Sequence, residues 1–149
     1  KPKLLLNFKT MQLVPYLNFQ GNCEEALQFY ARCFNGEIVS LIRFGDSPMP
    51  DTETYSQKIM HAQLKFGQVL VMASDNVQGP ACQAGSMVHL SIDFPQQTEN
   101  GKDMDTIFQE LAEGGTVTMP LQKTFWNAYF GMLTDRYGIC WMFNHDFAA

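Results

Sequence analysis

The sequence predicts an α+β fold of two βαβββ modules, each a curved mixed sheet with one helix behind it. Three observations carry this. Strand-like and helix-like patterns follow in the order β-α-β-β-β over residues 12–75, and the same order returns over residues 86–145. The hydrophobic period switches between 2 and 3.6 at the element boundaries. Glycines recur at matching places. Phe29 precedes Gly36 by seven positions, Phe108 precedes Gly115 by seven, and Gly67 and Gly138 each stand before the last strand of their half. An internal duplication of about 70 residues accounts for the pattern.

The elements follow in order. Gln12–Phe19 is a strand with Leu13, Pro15, Leu17 and Phe19 on one face and Gln12, Val14, Tyr16 and Asn18 on the other. Pro15 lacks an amide donor, which places this strand at an edge or a bulge. Asn22 with Glu25 behind it is a capping-box arrangement, and Ala26, Phe29, Tyr30, Cys33 and Phe34 recur at helical spacing. Cys23–Phe34 is therefore a helix, with Gly36 as its left-handed terminator. Glu37–Phe44 is the next strand. Residues 45–57, GDSPMPDTETYSQ, are polar, acidic and proline-bearing, and read as an exposed loop. Lys58–Phe66 and Gln68–Ser74 are strands joined by a tight turn at Gly67. Residues 76–85 are irregular, with a turn at Gly79 and Pro80. Ser86–Phe94 opens the second half with the cleanest alternation in the chain, Val88, Leu90, Ile92 and Phe94 against Met87, His89, Ser91 and Asp93. Pro95–Gly101 is a linker. Met104, Ile107, Phe108, Leu111 and Ala112 form the stripe of a second helix, stopped at Gly114 and Gly115. Strands follow at Thr116–Lys123, Phe125–Thr134 and Ile139–Asn144, with residues 135–138 as the last turn.

Composition bounds the function classes. The chain has 149 residues, 46% hydrophobic and 17% charged, which is the balance of one globular domain. Residues 11–149 are read as that single domain, its modules at about 12–75 and 86–145. Residues 1–10, KPKLLLNFKT, read as a leader or appended segment, or else as an arm on a neighbouring chain. Leu4–Leu6 is shorter than the roughly 7–15 apolar residues of a signal-peptide core. A net charge of −5 argues against nucleic acid as partner. No apolar run approaches the roughly 20 residues of a bilayer span. Cys23, Cys33, Cys82 and Cys140 are far apart with no CxxC, as expected for free, buried thiols in a reducing cytoplasm.

Several stretches resemble one family. These are PYLNFQGNCEEALQFY at 15–30, KIMHAQLKFG at 58–67, MASD at 72–75 and TFWNAYFGMLTDRYGICWMFN at 124–144. They look like the PhnB-like group of the vicinal-oxygen-chelate superfamily, which includes glyoxalase I, extradiol dioxygenases, and the bleomycin and fosfomycin resistance proteins. Asn127 and Arg136 depart from the group's Gly and Pro. The resemblance implies paired modules whose U-shaped sheets form a cup, and commonly a homodimer. In metal-bearing members the first and last strands of each module supply the ligands. Some PhnB-like proteins carry a ubiquinone-methyltransferase label, yet no glycine-rich nucleotide loop follows a strand and opens a helix here.

The ligand count at those strands is low. Val14 and Tyr16 offer no carboxylate or imidazole, and Met142 stands where metal-binding relatives carry Glu. Only His89 is a ligand type, so no metal and no other cofactor is expected at the usual place. His61 reads either as a cup-lining acid, base or ligand or as a strand histidine bonded to backbone. His89, with Ser91 and Asp93 on its face, reads as a cup group or an interior histidine; His145 reads as surface. Phe125, Trp126, Tyr129, Phe130 and Trp141 form either core or a stacking wall, and Cys140 a structural thiol. The expected cup lining is Tyr16, Asn18, His61, Gln63, His89, Ser91, Phe125, Trp126, Tyr129 and Met142. No catalytic residue is identified. The function expected is small-molecule binding by a metal-free cup. The alternatives are a superfamily enzyme (lyase, dioxygenase or resistance transferase, with a phosphonate among the candidate substrates) whose metal uses ligands such as His61 and His89, and an interaction module with a filled cup. A homodimer facing its partner through the first strand and residues 125–130 is expected.

Overall fold

The computed structural model describes residues 10–99 and 101–148. The expected leader lies outside the described residues except for Thr10. The elements are β1 (Tyr16–Phe19), α1 (Cys23–Phe34), β2 (Glu37–Arg43), β3 (Ile59–Phe66), β4 (Val69–Asp75), β5 (Leu90–Asp93), β6 (Thr98–Glu99), β7 (Lys102–Asp103), α2 (Met104–Ala112), β8 (Thr116–Lys123), β9 (Ala128–Thr134) and β10 (Cys140–Asp146). Two four-stranded sheets result, in the orders β1-β4-β3-β2 and β5-β10-β9-β8. In each, the first strand pairs in parallel with the last and the other pairs are antiparallel. The α+β architecture of two βαβββ units with mixed sheets is as predicted. Register shifts in β2 and β8 locally bend these edge strands.

One core serves both units. The apolar stripe of α1 buries Ala26, Leu27, Phe29, Tyr30, Cys33 and Phe34, and that of α2 buries Met104, Ile107, Phe108 and Leu111. Phe34 stacks on Phe66 of the first sheet at 4.2 Å and lies 5.4 Å from Trp141 of the second. Burying a ring or branched aliphatic side chain stabilises by about 1.5–3 kcal/mol. The helices' shared stripe therefore binds the two sheets to each other as well as to themselves. A buried carboxylate ties the same junction. Asp135 Oδ2 accepts from the Tyr30 hydroxyl at 2.6 Å and from Trp141 Nε1 at 2.9 Å. Its Oδ1 accepts from the Tyr137 and Ile139 amides at 2.8 and 3.1 Å.

The glycines of the repeat have matched work. A Cβ on Gly36 would meet the Lys65 carbonyl at 2.7 Å, and one on Gly115 would overlap the Thr134 carbonyl. Both glycines let the strand after a helix pass against the third strand of its own module. Gly67 and Gly138 both turn with positive φ, +53° and +90°.

Several boundaries differ from expectation. The α1 terminator is Asn35 at φ +49°, while Gly36 is required by close approach rather than by handedness. Asn22 makes no side-chain cap; Asp75 at the end of β4 accepts from the Cys23 amide at 2.9 Å and from the Ile59 amide at 2.8 Å. A carboxylate distant in sequence thus replaces the local capping box. The first strand begins at Tyr16 rather than Gln12, because Pro15 has no donor and contributes only its carbonyl, to the Met72 amide at 3.0 Å. The fifth begins at Leu90 rather than Ser86, because Leu90 pairs with Trp141 and earlier residues would need partners in the turn before Cys140. The ninth begins at Ala128 rather than Phe125, because residues 124–127 close a turn in which Asn127 takes φ +63°. The linker after Pro95 holds the small β6-β7 hairpin, and Asp103 caps α2 through the Thr106 amide at 2.7 Å. Within the loop 45–57, Thr52 is buried, and Phe44 just before it is also buried, against Tyr55. Cys82 is exposed, whereas Cys23, Cys33 and Cys140 are buried.

Candidate functional site

Each sheet has one face buried against the helices and one face left more open. On β3 the buried side chains are Ala62, Leu64 and Phe66, and the half-buried ones are His61, Gln63 and Lys65. The registers define the rows across the open faces. In the first sheet one row reads Ser40, Gln63, Met72, Tyr16. In the second sheet the corresponding row reads Met119, Met132, Met142, Ser91. The next row of the second sheet is Gln122, Phe130, Asn144, Asp93. The duplication thus delivers two equivalent surfaces of opposite character, one polar and one lined by thioethers.

The polar surface is internally connected. Tyr16 Oη lies 3.0 Å from His61 Nδ1, with the rings 5.7 Å apart, and His61 Nε2 lies 3.3 Å from Gln63 Nε2. Ser74 Oγ donates to Asn18 Oδ1 at 3.3 Å at the end of β1. The equivalent pair of the second sheet is Asn144 Nδ2 donating to Asp93 Oδ1 at 3.1 Å. Tyr16, Asn18, His61 and Gln63 of the expected lining therefore share one face and three of them share one hydrogen-bond chain.

The rest of the expected lining is dispersed. Ser91 and Met142 are neighbours on the second sheet's open face. His89 precedes β5, with Nε2 3.1 Å from the Ser86 carbonyl and a buried Nδ1 that has no hydrogen-bond partner among the described residues. Phe125 and Trp126 belong to the turn before β9, not to a strand. Phe125 is 97% exposed, and Trp126 is 53% exposed with its edge against Phe130. Tyr129 faces the helix side instead: its hydroxyl donates to Asp105 of α2 at 2.6 Å, and that hydrogen bond, with burial second, pushes its pKa up to about 12. Trp141 is core, and His145 donates from Nδ1 to the Phe94 carbonyl at 2.7 Å rather than lying free on the surface. Cys140 packs its thiol between Thr134 Oγ1 and the Gly85 carbonyl. A crevice of about 220 Å³ between the modules includes Asn18 but otherwise a different set, among them Gln20, Cys82 and Tyr137.

Met72, Met119, Met132, Phe130 and Asn144 were absent from the expected lining. Strand parity identifies Met72 as an alternate of Val71, but the choice between the faces needs the pairing register.

The donors at the first and last strands do not fit a divalent metal. The paired positions are Tyr16 with Met72 and Ser91 with Met142. Neutral hydroxyls and soft thioethers neither neutralise nor grip zinc, magnesium or manganese as carboxylates and imidazoles do. Among the described residues, no three His, Cys, Asp or Glu side chains converge on a point.

Comparisons with known proteins agree with this architecture. Protein PA1353 from Pseudomonas aeruginosa is 42% identical, with a TM-score of 0.79 over 92% of this chain and 98% of that one. Protein YjdN of Escherichia coli is 35% identical over 90% of this chain and 95% of its own length. The PhnB protein from Bacillus cereus is 29% identical, with a TM-score of 0.73 over 91% and 99%. A glyoxylase/bleomycin resistance protein/dioxygenase domain from Frankia, 14% identical, shares the fold with a TM-score of 0.66 over 94% of each chain. The model of the 3-demethylubiquinone-9 3-methyltransferase family matches residues 11–143. The chain belongs to that family, and it shares its fold with the glyoxylase/bleomycin resistance protein/dioxygenase domain.

Proposed function

We propose that the protein binds a small, partly apolar molecule on the open sheet faces, without a metal. The observation that carries this reading is the Tyr16–His61–Gln63 hydrogen-bond chain, set beside Met72 on a face the helices do not cover. A binding site is typically apolar with a few placed polar groups, and this row has that balance. The methionine row of the second sheet adds a polarizable, adaptable surface of the kind used against varied apolar shapes. Trp126, half exposed beside Phe130, can add stacking worth about 0.5–1.5 kcal/mol. A neutral hydrogen bond adds about 1 kcal/mol net, and because these contacts are uncharged, binding should depend little on salt. The donor set argues against the metal-enzyme alternative: His61 is engaged by Tyr16 and Gln63, and His89 by the Ser86 carbonyl.

The test is a small-molecule library, including S-adenosylmethionine for the activity in the family's description, screened by thermal shift. It is repeated on His61→Ala and Trp126→Ala. Hits that raise Tm in the parent and lose the shift in His61→Ala bind on the first sheet's polar face, and hits that lose it in Trp126→Ala bind on the second sheet's face. Hits that survive both substitutions bind elsewhere. A shift with S-adenosylmethionine would favour methyl transfer instead.

A further inference from the structure

The Tyr16–His61–Gln63 chain has a direction. Gln63 presents its amide nitrogen to His61 Nε2 at 3.3 Å. An amide nitrogen only donates, so this ring nitrogen accepts. A neutral imidazole then carries its proton on the other nitrogen. His61 Nδ1 therefore donates to Tyr16 Oη, 3.0 Å away. The phenol oxygen is used as an acceptor, and its own proton is left to donate outward. His61 is the hydrogen-bond partner of Tyr16 among the described residues, and Tyr16 is 45% exposed, so that proton is within reach of a bound molecule.

We propose that Tyr16 Oη donates a hydrogen bond to a carbonyl oxygen of the ligand, and that Gln63 and His61 are positioning residues that hold the phenol in its donor state. The proposal rests on the binding reading above and specifies which ligand group sits where. Tyr16 lies on the first strand opposite Met72 of the last. Met72 beside it and Ile42, opposite His61 and 38% exposed, supply apolar contact for the body that carries the carbonyl.

Two measurements test this. In ¹⁵N-labelled protein, long-range ¹H–¹⁵N correlations report the His61 tautomer without any ligand. The expected state is Nδ1–H in the parent, with the preference lost in Gln63→Ala whose amide spectrum otherwise matches. An Nε2–H tautomer in the parent overturns the proposal, because Tyr16 would then spend its proton on His61. The second measurement titrates acetophenone and ethylbenzene, alike in shape but differing in the carbonyl. Acetophenone should bind about fivefold more tightly, the worth of one neutral hydrogen bond, and Tyr16→Phe should erase the difference while ethylbenzene binding persists. Equal binding of the two probes in the parent, or a difference that survives Tyr16→Phe, overturns the carbonyl assignment. If neither probe binds while other library members do, the assignment falls alone; if no library member binds, the binding reading falls with it.

Discussion

Asp135 accepts four hydrogen bonds within the core. It satisfies two side-chain donors and two backbone amides at the junction of α1 with the second sheet. Removing it leaves several buried donors unpaired, each costing about 1–3 kcal/mol. Asp135→Ala should therefore lower unfolding stability by about 3 kcal/mol or more in urea titration, and Tyr30→Phe by about 1 kcal/mol. The buried thiols give a pH prediction. Burial pushes Cys23 and Cys33 up to about 12 from an ordinary 9.0. Tyr30 is raised as well, by burial and then by the Asp135 charge. The folded chain keeps these protons where the unfolded chain has lost them. Their contribution is fully present below pH 9.0 and is lost as pH rises towards 12. The urea midpoint should fall between pH 8 and pH 11, and less steeply in a Cys23→Ala, Cys33→Ala double variant. At neutral pH iodoacetamide should label Cys82, which is exposed, and spare the other thiols in the folded state. The sequence marks these cysteines as free but does not separate Cys82 from the rest. Exposure is set by the irregular segment 76–85 around Cys82, which has no periodicity to read.

At the scale of elements, α1 depends on a group from another strand. Asp75→Ala should cost about 1–3 kcal/mol, since two amides lose their acceptor, whereas Asn22→Ala should be nearly silent. Circular dichroism with urea unfolding separates these outcomes, and a larger loss at Asn22 would restore the local capping box. Gly115→Ala should destabilise by more than about 1 kcal/mol, because its Cβ would overlap the Thr134 carbonyl. Both helices were legible to the residue or nearly so, Cys23–Phe34 and Met104–Ala112, because 3.6-residue periodicity is a local property. Strand ends were less legible. Pairing at Tyr16, Leu90 and Ala128 depends on what the partner strand offers, and no alternation pattern records that.

At the scale of the molecule, large apolar side chains remain exposed at Leu13, Met87 and Phe125, each above 90%. A symmetric homodimer covering the first strand and the turn before β9 is the expected state. Sedimentation velocity at micromolar concentration should show a species near twice 16.9 kDa, and Phe125→Asp should shift it towards the monomer. A single species at the monomer mass in the parent sinks this expectation.

The sequence by itself determined the two βαβββ units, their helices and the turn glycines. These follow from local periodicity, backbone geometry and side-chain chemistry. Only the tertiary structure decided which side chains meet. His61 joins Tyr16 and Gln63 because β1, β4 and β3 lie side by side in one register, while Tyr129 turns to Asp105 and His89 falls outside its strand. Parity along a strand assigns a residue to one of two faces, but the choice of face, and the neighbours found there, are set by strand pairing and helix packing between residues far apart in the chain.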